Sequence, residues 1–193
     1  MARVPRPVKP GPRSLAAGLA LAALLAAACA PVALAPATPS KDVVSLKLPF
    51  VAQAGPHLCG VACVEMLTLC YGRPLGAAAM RSLKAEAQST GGVSGASLKA
   101  ALEGAGYEVA VFPGTLDRGQ AGLFRQVDKG LPVLVMTGSA PRHYDLVAGY
   151  DEGLARISLM DPAAGRVSLP FAEFDRRWEQ AGRFALLAAP APD

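Results

Sequence analysis

Helix-length segments come first in this chain and strand-length segments come later, and that order limits the folds open to it. Residues 59–71 are apolar-rich, have helical length, follow Pro56 and stop at Gly72. Residues 75–88 predict a second helix, then a Gly-rich loop at 89–95, then a third helix at 97–103 closed by Gly104. After that the pattern changes. Strands are expected at 107–112, 131–137, 143–150, 154–160, 165–169 and 183–188, with Asp151-Glu152-Gly153 and Asp161-Pro162 as turns. Two more helices are expected, at 119–129 and 171–180. A strand at 43–51 precedes everything, and Pro49 pushes it toward a sheet edge. Helices gathered first and an antiparallel meander after them argue for the α+β class rather than a wound parallel sheet. A helical lobe and a sheet lobe leave a cleft between them, where ligands tend to bind.

Residues 1–28 stand apart. Arg3, Arg6, Lys9 and Arg13 come without an acid, and an apolar run at 15–28 follows. A membrane-spanning helix needs about 20 apolar residues, so the run reads as a secretory signal peptide. Leu25-Ala26-Ala27-Ala28-Cys29 resembles a bacterial lipobox, with Leu four rather than three places before the cysteine. Cys29 is therefore expected to be the lipidated first residue, anchoring an exported protein in the cell envelope. Pro31, Pro36 and Pro39 among small residues make 29–42 a flexible linker, leaving 43–190 as one domain. The formal net charge of +4 comes from the four leader bases alone. The rest of the chain is formally neutral, and no nucleic-acid partner is expected.

The cysteines are Cys29, Cys59, Cys63 and Cys70. With Cys29 lipidated, three remain, and three thiols on one helix cannot easily staple one another. No disulfide framework is expected, and Cys63, Met66 and Cys70 read as helix core. Cys59 is different, because it sits where a loop enters the first helix. Backbone N–H groups and the helix dipole favour an anion there, so a thiolate would be stabilised. Such a nucleophile needs a base near it in space, and the chain has only two histidines, His57 and His143. His143 opens a strand. The base needs a group that fixes its tautomer. Asp161, at the next hairpin turn, is favoured. Asp145, two residues along the strand and on the same face, stays open as the alternative. Gln53, six residues before Cys59, could point an amide N–H at the oxygen of a tetrahedral intermediate. Cys59, Cys63, His57 and His143 do not make a metal site: no Cys-x-x-Cys is present. Arg176-Arg177-Trp178 reads as part of an amphipathic helix with a solvated basic edge.

The run Gln53, Cys59, Gly60, Ala62, Cys63, Met66, Tyr71 and Gly72 closely resembles the double-glycine-leader peptidases that process bacteriocin precursors, cysteine peptidase family thirty-nine. His143 before an apolar strand ending Gly149-Tyr150-Asp151, and then Met160-Asp161-Pro162, look like that family's His and Asp segments. The resemblance implies a papain-like fold with Cys59 as nucleophile, His143 as base, Asp161 as orienter and Gln53 as oxyanion donor. It implies a peptide or protein substrate, cut after a Gly-Gly pair, and no cofactor. The family often has Asp just before the nucleophile, where this chain has Leu58. No Walker-type phosphate loop or transmembrane bundle follows, so the domain is expected to act by itself outside the cytoplasm, as a monomer. The competing readings are a catalytically idle, tethered peptide-binding module and an amidase or acyl-transfer enzyme with the same residues.

Overall fold

The computed structural model describes residues 43–192. The leader, Cys29 and the expected linker lie outside the described residues. Three helices come first: α1 (Cys59–Cys70), α2 (Ala77–Thr90) and α3 (Gly95–Gly104). The strands are β1 (Val43–Ser45), β2 (Tyr107–Pro113), β3 (Val133–Thr137), β4 (His143–Asp151), β5 (Arg156–Asp161), β6 (Gly165–Pro170) and β7 (Phe184–Pro190). Helix α4 (Leu123–Asp128) lies between β2 and β3, and α5 (Phe171–Glu179) between β6 and β7. Every strand pairing is antiparallel, in the order β2-β7-β3-β4-β5-β6. The chain therefore has the expected α+β class, and β3 to β6 form the expected meander. Among the described residues no helix is long and apolar enough to cross a membrane.

The sheet carries a core on each face. Tyr144, Leu146, Ala148, Leu134 and Leu186 pack with Cys63, Met66 and Leu67 of α1 and Leu98 and Leu102 of α3. Val133, Val135, Val147, Tyr150 and Ile157 pack with Phe124 of α4 and Phe174 and Trp178 of α5. Each fully buried side chain of this size contributes about 1.5–3 kcal/mol, so the two clusters hold the sheet from both sides. The strand alternation that sorts them breaks once. On β4, Val147 faces Leu159 but Gly149 faces Ser158, which leaves Ala148 as an extra, bulged residue. The bulge turns Tyr150 onto the face of α4 rather than that of α1.

Several elements are shorter than the sequence pattern suggests, for local reasons. Only Val43–Ser45 of the first expected strand enters the sheet, opposite Asp151 to Gly149. The next places along that edge of β4 belong to β3, where Val133 faces Val147, so β1 must leave. Leu46 N–H still reaches Ala148 O at 2.7 Å, and Gln53 N–H reaches Pro162 O at 2.9 Å. The departing segment is thus tied to the turn that follows β5. Helix α4 begins at Leu123 because residues 119–122 close a turn on Asp117, whose Oδ1 accepts Gly119 N–H at 2.7 Å. A Cβ on Gly122 would stand 2.1 Å from Asp117 O. Pro132 has no N–H to give a ladder, and β3 starts one residue later.

Candidate active site

Helix α1 begins at Cys59, at the position where the first backbone N–H groups have no partner within the helix. Gly60 lets that end of the helix lie against the sheet. A Cβ there would come within 2.6 Å of Val93 Cγ1 and 2.9 Å of Tyr144 Cδ2. One turn on, the Cys63 thiol donates to Tyr144 O at 3.3 Å. These contacts dock α1 beside the start of β4, which is where His143 stands. The Cys59 thiol and the His143 ring face one cavity, close enough for each to shift the other's ionisation.

The other side of the ring faces acids. His143 Nε2 lies 3.1 Å from Asp161 Oδ1. A carboxylate can only accept, so Nε2 carries the hydrogen and Nδ1 is the nitrogen left for the sulfur. Asp161 ends β5, and its Oδ1 also accepts Ala163 N–H at 2.7 Å. The hairpin turn therefore fixes the carboxylate that meets the ring. Asp145 reaches the same nitrogen, with Oδ1 at 3.5 Å. The pleat brings it there as expected, and both acids are in place. The donor atoms of His143, Asp145 and Asp161 lie within 4.8 Å of one another. The shared imidazole hydrogen accounts for that closeness, and we read the group as acids around a base.

The charges fit this geometry. Burial opposes ionisation of Cys59, but the His143 hydrogen bond, the backbone amides of Tyr144 and Gly60 and the imidazole charge outweigh it, so its pKa falls below the ordinary thiol value. For His143 the bond to Cys59 is the largest influence, and it overcomes burial. With the charges of Asp145, Cys59 and Asp161 it lifts the imidazole to about 9. Both shifts act in the direction of a thiolate–imidazolium pair. Burial pushes Cys63 well above its ordinary value, and burial raises Cys70 as well. Cys63 and Met66 are core residues, whereas Cys70 is only half-buried, a departure from its expected core position. All three thiols of the described residues are free.

The cysteine is buried but not sealed. Cys59, His143 and Gln53 line one cavity of about 710 Å³, closed by His57, Met136 and the loops at 91–95 and 139–142. The Gln53 amide donates through Nε2 to Gly55 O at 3.1 Å, and its Oε1 is buried without a partner among the described residues. His57 is exposed at the lip, with a left-handed φ of 67°. Arg177 pairs with Glu173. With Arg176 it rims a second cavity of about 630 Å³ behind the imidazole, and Trp178 is fully buried. Sequence reasoning missed the roles of Val93 and of residues 139–142 as cleft walls. The paired glycines at 91–92 and Pro141 marked loops but gave no sign of where those loops fold.

A helix that starts on a cysteine, docked so that the sulfur meets a sheet-borne histidine backed by a carboxylate, defines the papain-like cysteine peptidase class. The family model described as Peptidase C39-like matches residues 45–186, and the chain belongs to that family. A double glycine motif protease from the AMS/PCAT transporter, solved in complex with its leader peptide, is similar at 20% identity with a TM-score of 0.61. That match covers 77% of this chain and 95% of that one. The peptidase domain of Streptococcus ComA, a bifunctional ABC transporter of a quorum-sensing pathway, is 22% identical, with a TM-score of 0.59 over 75% and 98% of the two chains. A C39-like peptidase from Bacillus anthracis is 17% identical, with a TM-score of 0.60 over 79% and 100%. No curated protein sequence matches the chain.

Proposed function

We propose that this chain is an exported cysteine peptidase. Cys59 thiolate attacks the scissile carbonyl, His143 gives its proton to the leaving amine and Asp161 holds the imidazole in the productive tautomer. The tetrahedral oxyanion takes the unpartnered N–H groups that open α1 and the amide of Gln53. Water then attacks the acyl-enzyme, with His143 as the base. The observation that carries this reading is that Cys59 and His143 share the wall of one cavity while Asp161 holds the imidazole from its other side.

The substrate is a peptide or protein, cleaved after Gly-Gly. Support for that specificity comes from the double glycine motif protease among the similar structures. Residues 1–28 direct export, Cys29 carries the lipid, 29–42 tether the domain and 43–190 form it, acting as a monomer in the envelope. Palmitate incorporation into the full chain, lost in Cys29→Ser, tests the anchor, and sedimentation of the mature chain tests the monomer.

The deciding experiment incubates peptides from a secreted proteome with the mature protein and with Cys59→Ala, reading new termini by mass spectrometry. Termini after Gly-Gly that vanish in the variant are expected. Peptides that bind without being cut by the wild type would replace the enzyme with an idle binding module. Release of non-peptide amines alone would make it an amidase.

A further inference from the structure

We infer that Asp145 is a second positioning residue for His143, so that two carboxylates from adjacent strands hold one imidazole nitrogen. The inference rests on the peptidase reading of Cys59 and His143 and adds a group that reading does not need.

Asp145 Oδ1 stands 3.5 Å from His143 Nε2, and Asp161 Oδ1 stands 3.1 Å from the same atom. The two acids are placed by different means. Asp161 sits at a hairpin turn, bonded to a turn amide, with 22% of its side chain exposed. Asp145 lies inside β4 between Tyr144 and Leu146, and is 4% exposed. Burying a carboxylate costs several kcal/mol unless it is paired, and an apolar residue at this place in a buried strand would avoid the cost. Asp145 is therefore expected to be matched by a positive group, and the nearest is the His143 imidazolium.

Every element packed around Asp145 bears on that match. Thr137 of β3 donates Oγ1–H to its Oδ2 at 3.4 Å. Asp161 comes from β5, and Arg177 of α5 contributes a positive charge. Cys63 of α1 also feels the Asp145 charge. Burial and Asp161 oppose a charge on Asp145, whereas His143, Thr137 and Arg177 favour it. Two neighbouring carboxylates repel each other, and a cation between them relieves the repulsion. The pair thus favours imidazolium over neutral imidazole, and through it favours the Cys59 thiolate. Asp161 gives the shorter bond that orients the ring. Asp145 adds charge in a place solvent cannot screen and blocks the ring from swinging away from α1.

The test reads the thiolate directly, without a substrate. Cys59 alkylation by iodoacetamide is followed against pH by mass spectrometry in the wild type, Asp145→Asn, Asp161→Asn and the double variant, with melting curves to establish folding. Asp145→Asn should move the Cys59 profile to higher pH, slowing alkylation by about threefold to tenfold on its rising part at about pH 7 and above, where Asp145 is ionised, the equivalent of up to about one pKa unit. Asp161→Asn should retain part of the wild-type effect, and the double variant should lose it. A folded Asp145→Asn protein with the wild-type profile overturns the inference. Should Asp145→Asn not fold, Thr137→Val decides: it leaves both acids in place but removes the donor that favours an ionised Asp145. It should shift the profile the same way by a smaller amount, and no shift overturns the inference. A wild-type Cys59 that titrates as an ordinary thiol would instead overturn the peptidase reading, which keeps the two failures apart.

Discussion

The Cys63 thiol donates a hydrogen bond to the carbonyl oxygen of Tyr144 at 3.3 Å, across 81 residues of chain. Cys63 is one helical turn after Cys59, and Tyr144 is the neighbour of His143. The bond therefore fixes the register between the helix that carries the sulfur and the strand that carries the ring. It also separates the duties of three cysteines that a sequence lists as equals. Thiolate, not thiol, is the nucleophile, and only Cys59 has its pKa lowered. Cys63 is fully buried with its pKa raised, and Cys70 is raised by burial. At neutral pH, iodoacetamide should label Cys59 well before Cys70, and Cys63 last or only on unfolding. Site-resolved mass spectrometry over time measures this. Equal slow labelling of all three would remove the activated nucleophile.

Gly60 is the other half of that docking. A methyl group there would overlap Val93 and the Tyr144 ring. Tyr144 is buried and carries the backbone amide that stabilises the thiolate, so it cannot move without cost. Overpacking of this kind costs about 1–3 kcal/mol. Gly60→Ala should lower stability by that amount in urea denaturation. It should also lower kcat more than it raises KM, because the sulfur and ring are pushed apart while most of the cleft is untouched. Stability and kcat equal to wild type would show that α1 does not need this close approach.

Much of this was legible in the sequence. The segregation of helical and strand patterns gave the α+β class, and helix starts and Gly stops located α1 and α3 to within two residues. Cys59, His143 and Asp161 could be singled out because each sits at an element boundary with its own local signal: a loop entering a helix, a strand opening, a turn closing. What was not readable depended on partners far away in the chain. The first strand is cut short because Val133 takes the place opposite Val147, which no local pattern reveals. Helix α4 loses its first turn to Asp117, whose short polar side chain competes for backbone amides. The bulge at Ala148 is marked only by Gly149 inside the strand, which a local pattern cannot tell from a close backbone approach. The choice between Asp145 and Asp161 could not be made from periodicity, because the pleat and the hairpin deliver both to one nitrogen.

The Cys59–His143 pair predicts a bell-shaped pH profile. Cys59 titrates below its ordinary value and His143 at about 9. Between those values the sulfur is a thiolate and the ring holds the proton that the leaving amine needs. Peptidase kcat/KM should therefore fall as pH rises through about 9, where His143 loses its proton. It should also fall on the acid side, as the thiolate is protonated, at a pH below the ordinary thiol range. Cys59→Ser should lose the profile with the activity, since a hydroxyl does not ionise in this range. A basic limb near the unperturbed imidazole value of about 6.5 would mean that the ion pair does not form.

Asp145 predicts a stability trend of its own. Burial raises its carboxyl from the ordinary range to about 7, against the opposing pull of His143, Thr137 and Arg177. In the unfolded chain the same group titrates near about 3.9. A group whose folded pKa is the higher of the two binds more protons when folded. Its contribution is therefore full below about pH 4 and is lost as pH rises through about 7. Asp145→Asn removes the titration without removing the shape. The difference in melting temperature between wild type and variant should therefore favour the wild type in acid and move toward the variant between about pH 4 and 7. On this scale each 1 kcal/mol moves a midpoint by about 2–4 °C for a chain of this length. Parallel melting curves across that interval would mean that Asp145 keeps one charge state throughout. The acid would then titrate elsewhere, and the imidazolium would be holding it ionised well below neutrality.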